Sequence, residues 1–371
     1  MTTTKNNKDK KLNVPNLRFP EFEGEWITYK IKDVLSIGNG RDYKHLNNGG
    51  IPVFGTGGYM TSVDECLYDG ETTFIGRKGS INKPFYYNGK FWTVDTLFYT
   101  HSFNGITPKF TYCLFQTINW LKYNEASGVP SLSKDTIEKI KINIPKLEEQ
   151  NKIAKLMFAL DERIATQNKI IEDLKKLKSA IIEKLYSEIQ GKEYSYRQLF
   201  DVVNERNKQM EYSNILSASQ EKGMINRDDL NLDIQFERSN INTYKIVRAG
   251  DYVIHLRSFQ GGFAFSDKSG VCSPAYTILR PNSFLEYSYL SNYFTSQRFI
   301  KSLIIVTYGI RDGRSINVDE WLSMKITIPS KEHQQYIVKM IGSFDRKIES
   351  EEAYTIHLSK QKQYILRQMF I

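Results

Sequence analysis

Lys141-Ile142-Asn143-Ile144-Pro145 returns as Lys325-Ile326-Thr327-Ile328-Pro329, an offset of 184 residues from position 141 to position 325. The same offset relates Ser131 to Ser315, Asp135 to Asp319, Gln150 to Gln334, Asp161 to Asp345, Ile164 to Ile348 and Leu174 to Leu358. A chain of two like halves is expected to fold as two like modules about a pseudo-twofold axis. Such a molecule suits a ligand that also has two halves.

Each copy of the phrase precedes a helical pattern. After Pro145 the seam Ile153, Leu156, Leu160, Ile164, Gln167, Ile171, Leu174, Lys178, Ile181 and Leu185 advances in steps of three and four. That is one stripe of a helix, close to a coiled-coil seam. After Pro329 the seam is Ile337, Met340, Phe344, Ile348, Glu351, Thr355, Leu358, Lys362, Ile365 and Met369, each at the same offset. Matched seams predict two long helices paired antiparallel as a coiled coil. About 40 residues at ~1.5 Å per residue give a rod of roughly 60 Å. The polar breaks Gln167, Lys178, Glu351 and Lys362 coincide between the two seams and are read as positions where partner subunits dock.

Upstream of each helix lies a Gly-rich stretch of short strand patterns. Ile31-Lys32-Asp33-Val34-Leu35 aligns with Leu199-Phe200-Asp201-Val202-Val203, and Gly70 to Arg77 aligns with Gly250 to Arg257. Both of the latter read as a turn, a short buried strand and an arginine at the strand exit. The expected fold class is α+β. The boundaries are a polar tail at 1–14, a first mixed domain at 15–146, a central helix at 147–190, a second mixed domain at 191–330 and a C-terminal helix at 331–371. The helical parts repeat closely and the mixed parts have diverged.

With 371 residues, 40% hydrophobic and 25% charged, the chain is long enough for two domains with their own cores. A net charge of +9 and a pI near 9.1 fit a polyanionic partner. Cys66, Cys113 and Cys272 are scattered without CxxC spacing, which argues against a zinc site or a disulfide framework. No apolar run approaches the roughly 20 residues of a membrane span. The start, MTTTKNNKDKK, has no apolar stretch of the secretory kind. A cytoplasmic location is expected.

The chain resembles the specificity subunits of type I restriction–modification systems. The likeness is carried by Pro15-Asn16-Leu17-Arg18-Phe19-Pro20-Glu21-Phe22-Glu23-Gly24-Glu25-Trp26 and by Ile51-Pro52-Val53-Phe54-Gly55-Thr56-Gly57-Gly58-Tyr59. The helix starts, Pro145 with Glu149-Gln150 and Pro329 with Gln334-Gln335, add to it. The resemblance implies two target recognition domains, each reading half of a split double-stranded DNA site. It also implies two long helices that hold those domains and dock two modification (methylase) subunits, with restriction subunits joining the assembly. S-adenosylmethionine, ATP and magnesium would then be used by the partner subunits, and this chain would bind none of them. His333 departs from the acidic residue at Glu149.

The residues themselves point away from chemistry in this chain. An Asn/Asp-Pro-Pro-aromatic motif for an extruded adenine is missing, and neither GxGxxG nor GxxxxGK[ST] is satisfied. The five histidines are far apart, so neither a metal site nor catalytic residues are expected. DNA sequence is read by Arg, Lys, Asn and Gln on base edges, with hydroxyls and backbone amides on phosphate. The expected contacts in the first domain are Gly57, Tyr59, Arg77, Lys78, Ser80 and Lys134. In the second they are Arg257, Ser258, Gln260, Tyr308, Arg311 and Arg314. Two other readings stay open: a specificity chain whose partner fuses methylase and nuclease, and a stand-alone two-domain DNA-binding regulator.

Overall fold

The computed structural model describes residues 13–219, 222–229, 238–255, 262–308 and 315–371. The chain forms two compact units. One comprises the chain up to Asn168 together with Ala353–Ile371; the other is Lys169–Glu352.

In the first unit the order is β1 (Ile27–Lys30), α1 (Ile31–Val34), β2 (Ser36–Asn39), β3 (Asn48–Gly55), β4 (Gly58–Val63), β5 (Tyr68–Gly76), β6 (Phe85–Thr93), β7 (Leu97–His101), α2 (Pro108–Phe115), α3 (Lys134–Lys139), β8 (Lys141–Ile144) and the start of α4 (Leu147–Ser187). β1 pairs with β8, and the six-stranded sheet runs β2-β7-β5-β6-β3-β4. Helix α2 starts where Thr107 accepts from the Phe110 amide and Pro108 takes the first position, a pairing of cap and proline that fixes a helix start. Its buried face meets Trp26, Met157 and the chain's last residues, and Phe110 stacks on Phe370 at 5.3 Å.

The second unit contains the remainder of α4. It continues with β9 (Lys192–Ser195), α5 (Tyr196–Leu199), β10 (Phe200–Val203), β11 (Leu216–Ser219), β12 (Gly223–Asn226), β13 (Lys245–Val247), β14 (Tyr252–Ile254), β15 (Phe263–Phe265), β16 (Gly270–Cys272), β17 (Thr277–Pro281), α6 (Gln297–Ser302), β18 (Thr307–Tyr308), β19 (Ser315–Ile316), α7 (Val318–Ser323), β20 (Lys325–Ile328) and α8 (Lys331–Met369). β9 pairs with β20 as β1 pairs with β8, and the main sheet runs β10-β17-β14-β15. Gly191 turns the chain into β9, where a Cβ would lie 2.1 Å from the Ile328 carbonyl oxygen. The core is aromatic: Tyr196 stacks on Trp321 at 4.3 Å, with Phe294, Phe299 and Phe263 around them.

The two units repeat one plan. The order β2-β7-β5-β6 matches β10-β17-β14-β15, antiparallel throughout. The aligned patterns at Gly70–Gly76 and Gly250–Ile254 therefore run into equivalent strands, β5 and β14, whereas the pairing of β1 with β8 and of β9 with β20 sets Ile31 against Tyr196 and not, as the local pattern suggests, against Leu199. Buried Gln150 and Gln334 do the same work. Gln150 accepts from the Thr107 amide and donates to the Gly105 and Pro145 carbonyls, each at 2.9 Å. Gln334 accepts from the Glu286 amide at 2.8 Å and donates to the Phe284 and Pro329 carbonyls at 3.0 and 3.1 Å. Outside this frame the units differ. The first adds the β3–β4 hairpin to its sheet, and the second has the separate pairs β11–β12 and β13–β16.

Within each unit α4 and α8 run antiparallel. In the first, Lys362 Nζ lies 2.5 Å from Asp161 Oδ1, and Arg163 meets Tyr354. In the second, Lys178 Nζ lies 2.5 Å from Asp345 Oδ1, and Lys175 reaches Glu352 at 2.6 Å. Asp161 and Asp345 are repeat counterparts, as are Lys178 and Lys362, so one ion pair is the other with the helices exchanged. The polar seam positions thus turn inward. Gln167 and Lys362 are buried, Lys178 holds Asp345, and Glu351 meets Lys347 one turn earlier on α8. Of the four positions read for docking, Lys178, Glu351 and Lys362 thus each have an ion-pair partner within the chain. Among the described residues no helix is long and apolar enough to cross a membrane.

Candidate nucleic-acid interface

In the first unit one turn, Thr93–Leu97, gathers three loops. The Arg77 amide donates to the Thr96 carbonyl at 2.8 Å, fixing the exit of β5. The Arg41 amide donates to the Thr93 carbonyl at 2.8 Å, and Gly40 precedes it because a Cβ there would fall 1.9 Å from the Val94 carbonyl oxygen. The Val94 amide and Thr93 hydroxyl both donate to the Phe54 carbonyl, at 3.1 and 3.0 Å, which ties down the β3–β4 hairpin. A β-turn rim of this kind presents loop side chains on a rigid base.

Arg77 is half-buried. Its guanidinium lies 5.9 Å from the Phe98 ring centroid and donates to the Asp95 carbonyl at 3.3 Å. Lys78 is exposed and bridges to Ser131 across a single antiparallel pair. The Gly79 amide donates to the Pro130 carbonyl at 2.8 Å, so the Arg77–Ser80 loop and the 124–134 loop are joined. Gly79 also lies beside Thr56 of the hairpin. At the hairpin tip Gly57 is exposed, Gly58 takes φ +103°, and Tyr59 is 63% exposed with its hydroxyl 3.1 Å from Ser62 Oγ. Lys134 opens α3, exposed and 3.6 Å from Glu138. Burial lowers the basicity of the His101 imidazole, and Lys134 adds repulsion in the same direction. Burial raises the Tyr99 hydroxyl, which Arg41 opposes.

The expected first-domain residues Gly57, Arg77, Lys78 and Ser80 thus share one surface, with Tyr59 beside it. Arg41, which is not among the residues expected from sequence, lies on the same surface. Its signal was present in Gly38-Asn39-Gly40, two glycines kept small by Tyr99 and Val94 lying over them. In the second unit Arg257, Ser258, Gln260, Arg311 and Arg314 lie outside the described residues. The frame around them is described: the His255 amide donates to the Gly262 carbonyl at 2.8 Å, and Tyr308 pairs with Ser315 through the backbone. Arg280 is spent internally, donating twice to Asp251 at 2.9 Å, which holds its guanidinium more firmly protonated. Among the described residues no group of three or more His, Cys, Asp or Glu side chains comes together as a metal site.

Two modules of one topology, alike in frame and unlike in the sequence of the loops between, define a tandem recognition protein. Residues 23–176 and 191–359 each match the type I restriction modification DNA specificity domain, and the chain belongs to that family. It is similar to the type I restriction enzyme MjaVIII specificity subunit of Methanocaldococcus jannaschii, at 26% identity over 81% of this chain and 76% of that one. A second relative, the putative MjaX specificity subunit of the same organism, is 24% identical over 98% of this chain and 88% of its own. A solved type I system S subunit from M. genitalium shares the fold with a TM-score of 0.60 and 14% identity, over 96% of this chain and 99% of that one.

Proposed function

We propose that this chain is the non-catalytic specificity subunit of a cytoplasmic type I complex and reads a bipartite double-stranded DNA site, one half with each unit. The observation that carries this is the contrast between a repeated frame and unlike loop sequences. The frame gives both units one way to meet a duplex, and the loops give each its own sequence. In this reading two modification subunits bring S-adenosylmethionine and adenine methylation, and restriction subunits bring ATP- and magnesium-dependent translocation and cleavage. The chain itself holds none of these groups.

In the first half-site Arg77, Lys78 and Arg41 are the cations on the gathered loops. Arg77 is the best placed to read a base, because its guanidinium is held at the strand exit by the Phe98 ring and the Asp95 carbonyl. Lys78, exposed on the same loop, suits phosphate. A bidentate arginine contact to a base is worth about 1–3 kcal/mol of discrimination. The test is methylation mapping across random DNA by the complex carrying Arg77→Ala. Relaxed preference at one position of one half-site is expected, with the other half-site unchanged. Unaltered preference in both half-sites would remove Arg77 from the base contacts, and loss of DNA preference as a whole would refute the one-unit, one-half-site assignment.

A further inference from the structure

The first unit carries a groove whose lining its repeat counterpart does not keep. It measures about 1040 Å³ and lies between the segment at residues 18–29 and the start of α4. Ile27 and Leu147 line it while 60% and 50% exposed. Glu23, Glu25, Asp33 and Glu148 line it as well. Two further acids are neutralised, Glu149 by Arg18 at 2.7 Å and Glu21 by Lys152. The remaining carboxylates share the groove with Lys146 and with Arg18, whose charge Glu23 also feels. On a chain of net charge +9 this is a local reversal of sign. Such a surface repels phosphate over roughly a Debye length of 8 Å, so DNA is not its occupant.

The internal repeat supplies a control. β1 and β8 pair Ile27 with Ile144, and β9 and β20 pair Lys192 with Ile328, so Lys192 stands where Ile27 does. Lys331 stands where Leu147 does, three residues past Ile328, and it meets Glu286 at 3.3 Å. Asp33 caps the Lys30 amide as Gln198 caps the Ser195 amide, so that acid has become neutral. The glutamine clamps make Gly105 and Phe284 equivalent. Gly105 has φ +72° and open space where a side chain would stand, whereas the Phe284 ring packs 5.1 Å from that of Tyr194, the counterpart of Tyr29. The strand pair and clamp persist while both apolar anchors become lysines and the floor is filled.

We infer that the groove docks one copy, per chain, of a lysine- or arginine-rich protein segment with apolar anchors. The apolar pair Ile27 and Leu147 takes the anchors, and Glu25, Asp33 and Glu148, with Glu23 beside Arg18, take the basic side chains. A partner that binds both units alike cannot use this site, because the second unit offers it lysines. The inference goes beyond DNA reading, and its failure would leave that reading intact.

The test is site-specific photo-cross-linking in the whole complex, purified with the proteins encoded beside this chain. Benzoylphenylalanine is placed at Leu147 and, separately, at Lys331. The expected result is a cross-link from position 147 to a single Lys/Arg-rich segment of one protein copy, with at least tenfold less yield from position 331. With benzoylphenylalanine at Tyr29 instead, Ile27→Lys with Leu147→Lys should lower the yield at least tenfold. That pair should keep the circular dichroism spectrum and both half-site preferences, since the second unit already carries lysine at these places. Cross-links to DNA, to an acidic or neutral segment, equal yields at 147 and 331, or no product above background would each overturn it.

Discussion

At the residue scale the two glutamines are the clearest case of sequence meaning one thing and geometry giving it a reason. Gln150 and Gln334 stand out in sequence only because they repeat. In the fold each is buried and closes three backbone groups that a helix start and an adjacent loop leave open. Unmet buried groups cost about 1–3 kcal/mol each. Gln150→Ala and Gln334→Ala should each lower stability by at least that amount, read as a lower urea midpoint. Equal midpoints for wild type and both variants would refute the clamp. His333 finds its explanation at the same scale. Glu149 is an acid because Arg18 donates to it through Nε at 2.8 Å and Nη2 at 2.7 Å. The second unit is entered through α4, so it has no equivalent of the segment that brings Arg18, and His333 lies at the surface beside Tyr336.

At the element scale the long helices were legible and their polar positions were not. A three-and-four step places Lys178 and Lys362 on the seam, and that much follows from helical periodicity. What meets them depends on the antiparallel register of α4 and α8, which local periodicity does not contain. The two exchanged pairs are unequal. Lys362 and Asp161 are 11% and 33% exposed, against 21% and 42% for Lys178 and Asp345. Lys362 also donates to Gln116 Oε1 at 2.8 Å and lies 5.9 Å from the Tyr112 ring centroid. Removing one partner of a buried pair costs more than removing one at the surface. Lys362→Ala should therefore destabilise by about 2–3 kcal/mol and Lys178→Ala by about 1. Double-mutant cycles with Asp161→Ala and Asp345→Ala measure the two coupling energies. A stronger coupling in the Lys178 pair would contradict the ordering.

At the scale of the whole molecule, each unit has its own core, so damage should stay local. Phe294 is buried in the second unit against Tyr252, Phe263 and Phe299. Phe294→Ala should cost about 3–5 kcal/mol. Hydrogen exchange should accelerate in β14, β15 and β17 while β5 and β7 keep their protection, and only one half-site should lose its reading. Loss of protection in both units alike would show that they fold as one.

Sequence alone determined the 184-residue repeat, the two long helices, the α+β class and the family, because these rest on periodicity and on short phrases of adjacent residues. It also placed Arg77 at a strand exit, which needs only a strand pattern and a turn. Only tertiary structure decided that Arg41, the β3–β4 tip and Arg77–Ser80 meet on the Thr93–Leu97 turn, and that the seam lysines hold aspartates of the facing helix. Those facts join residues tens to hundreds of positions apart. They are set by strand order and helix register, which pack the whole chain at once and leave no mark on any local stretch of it.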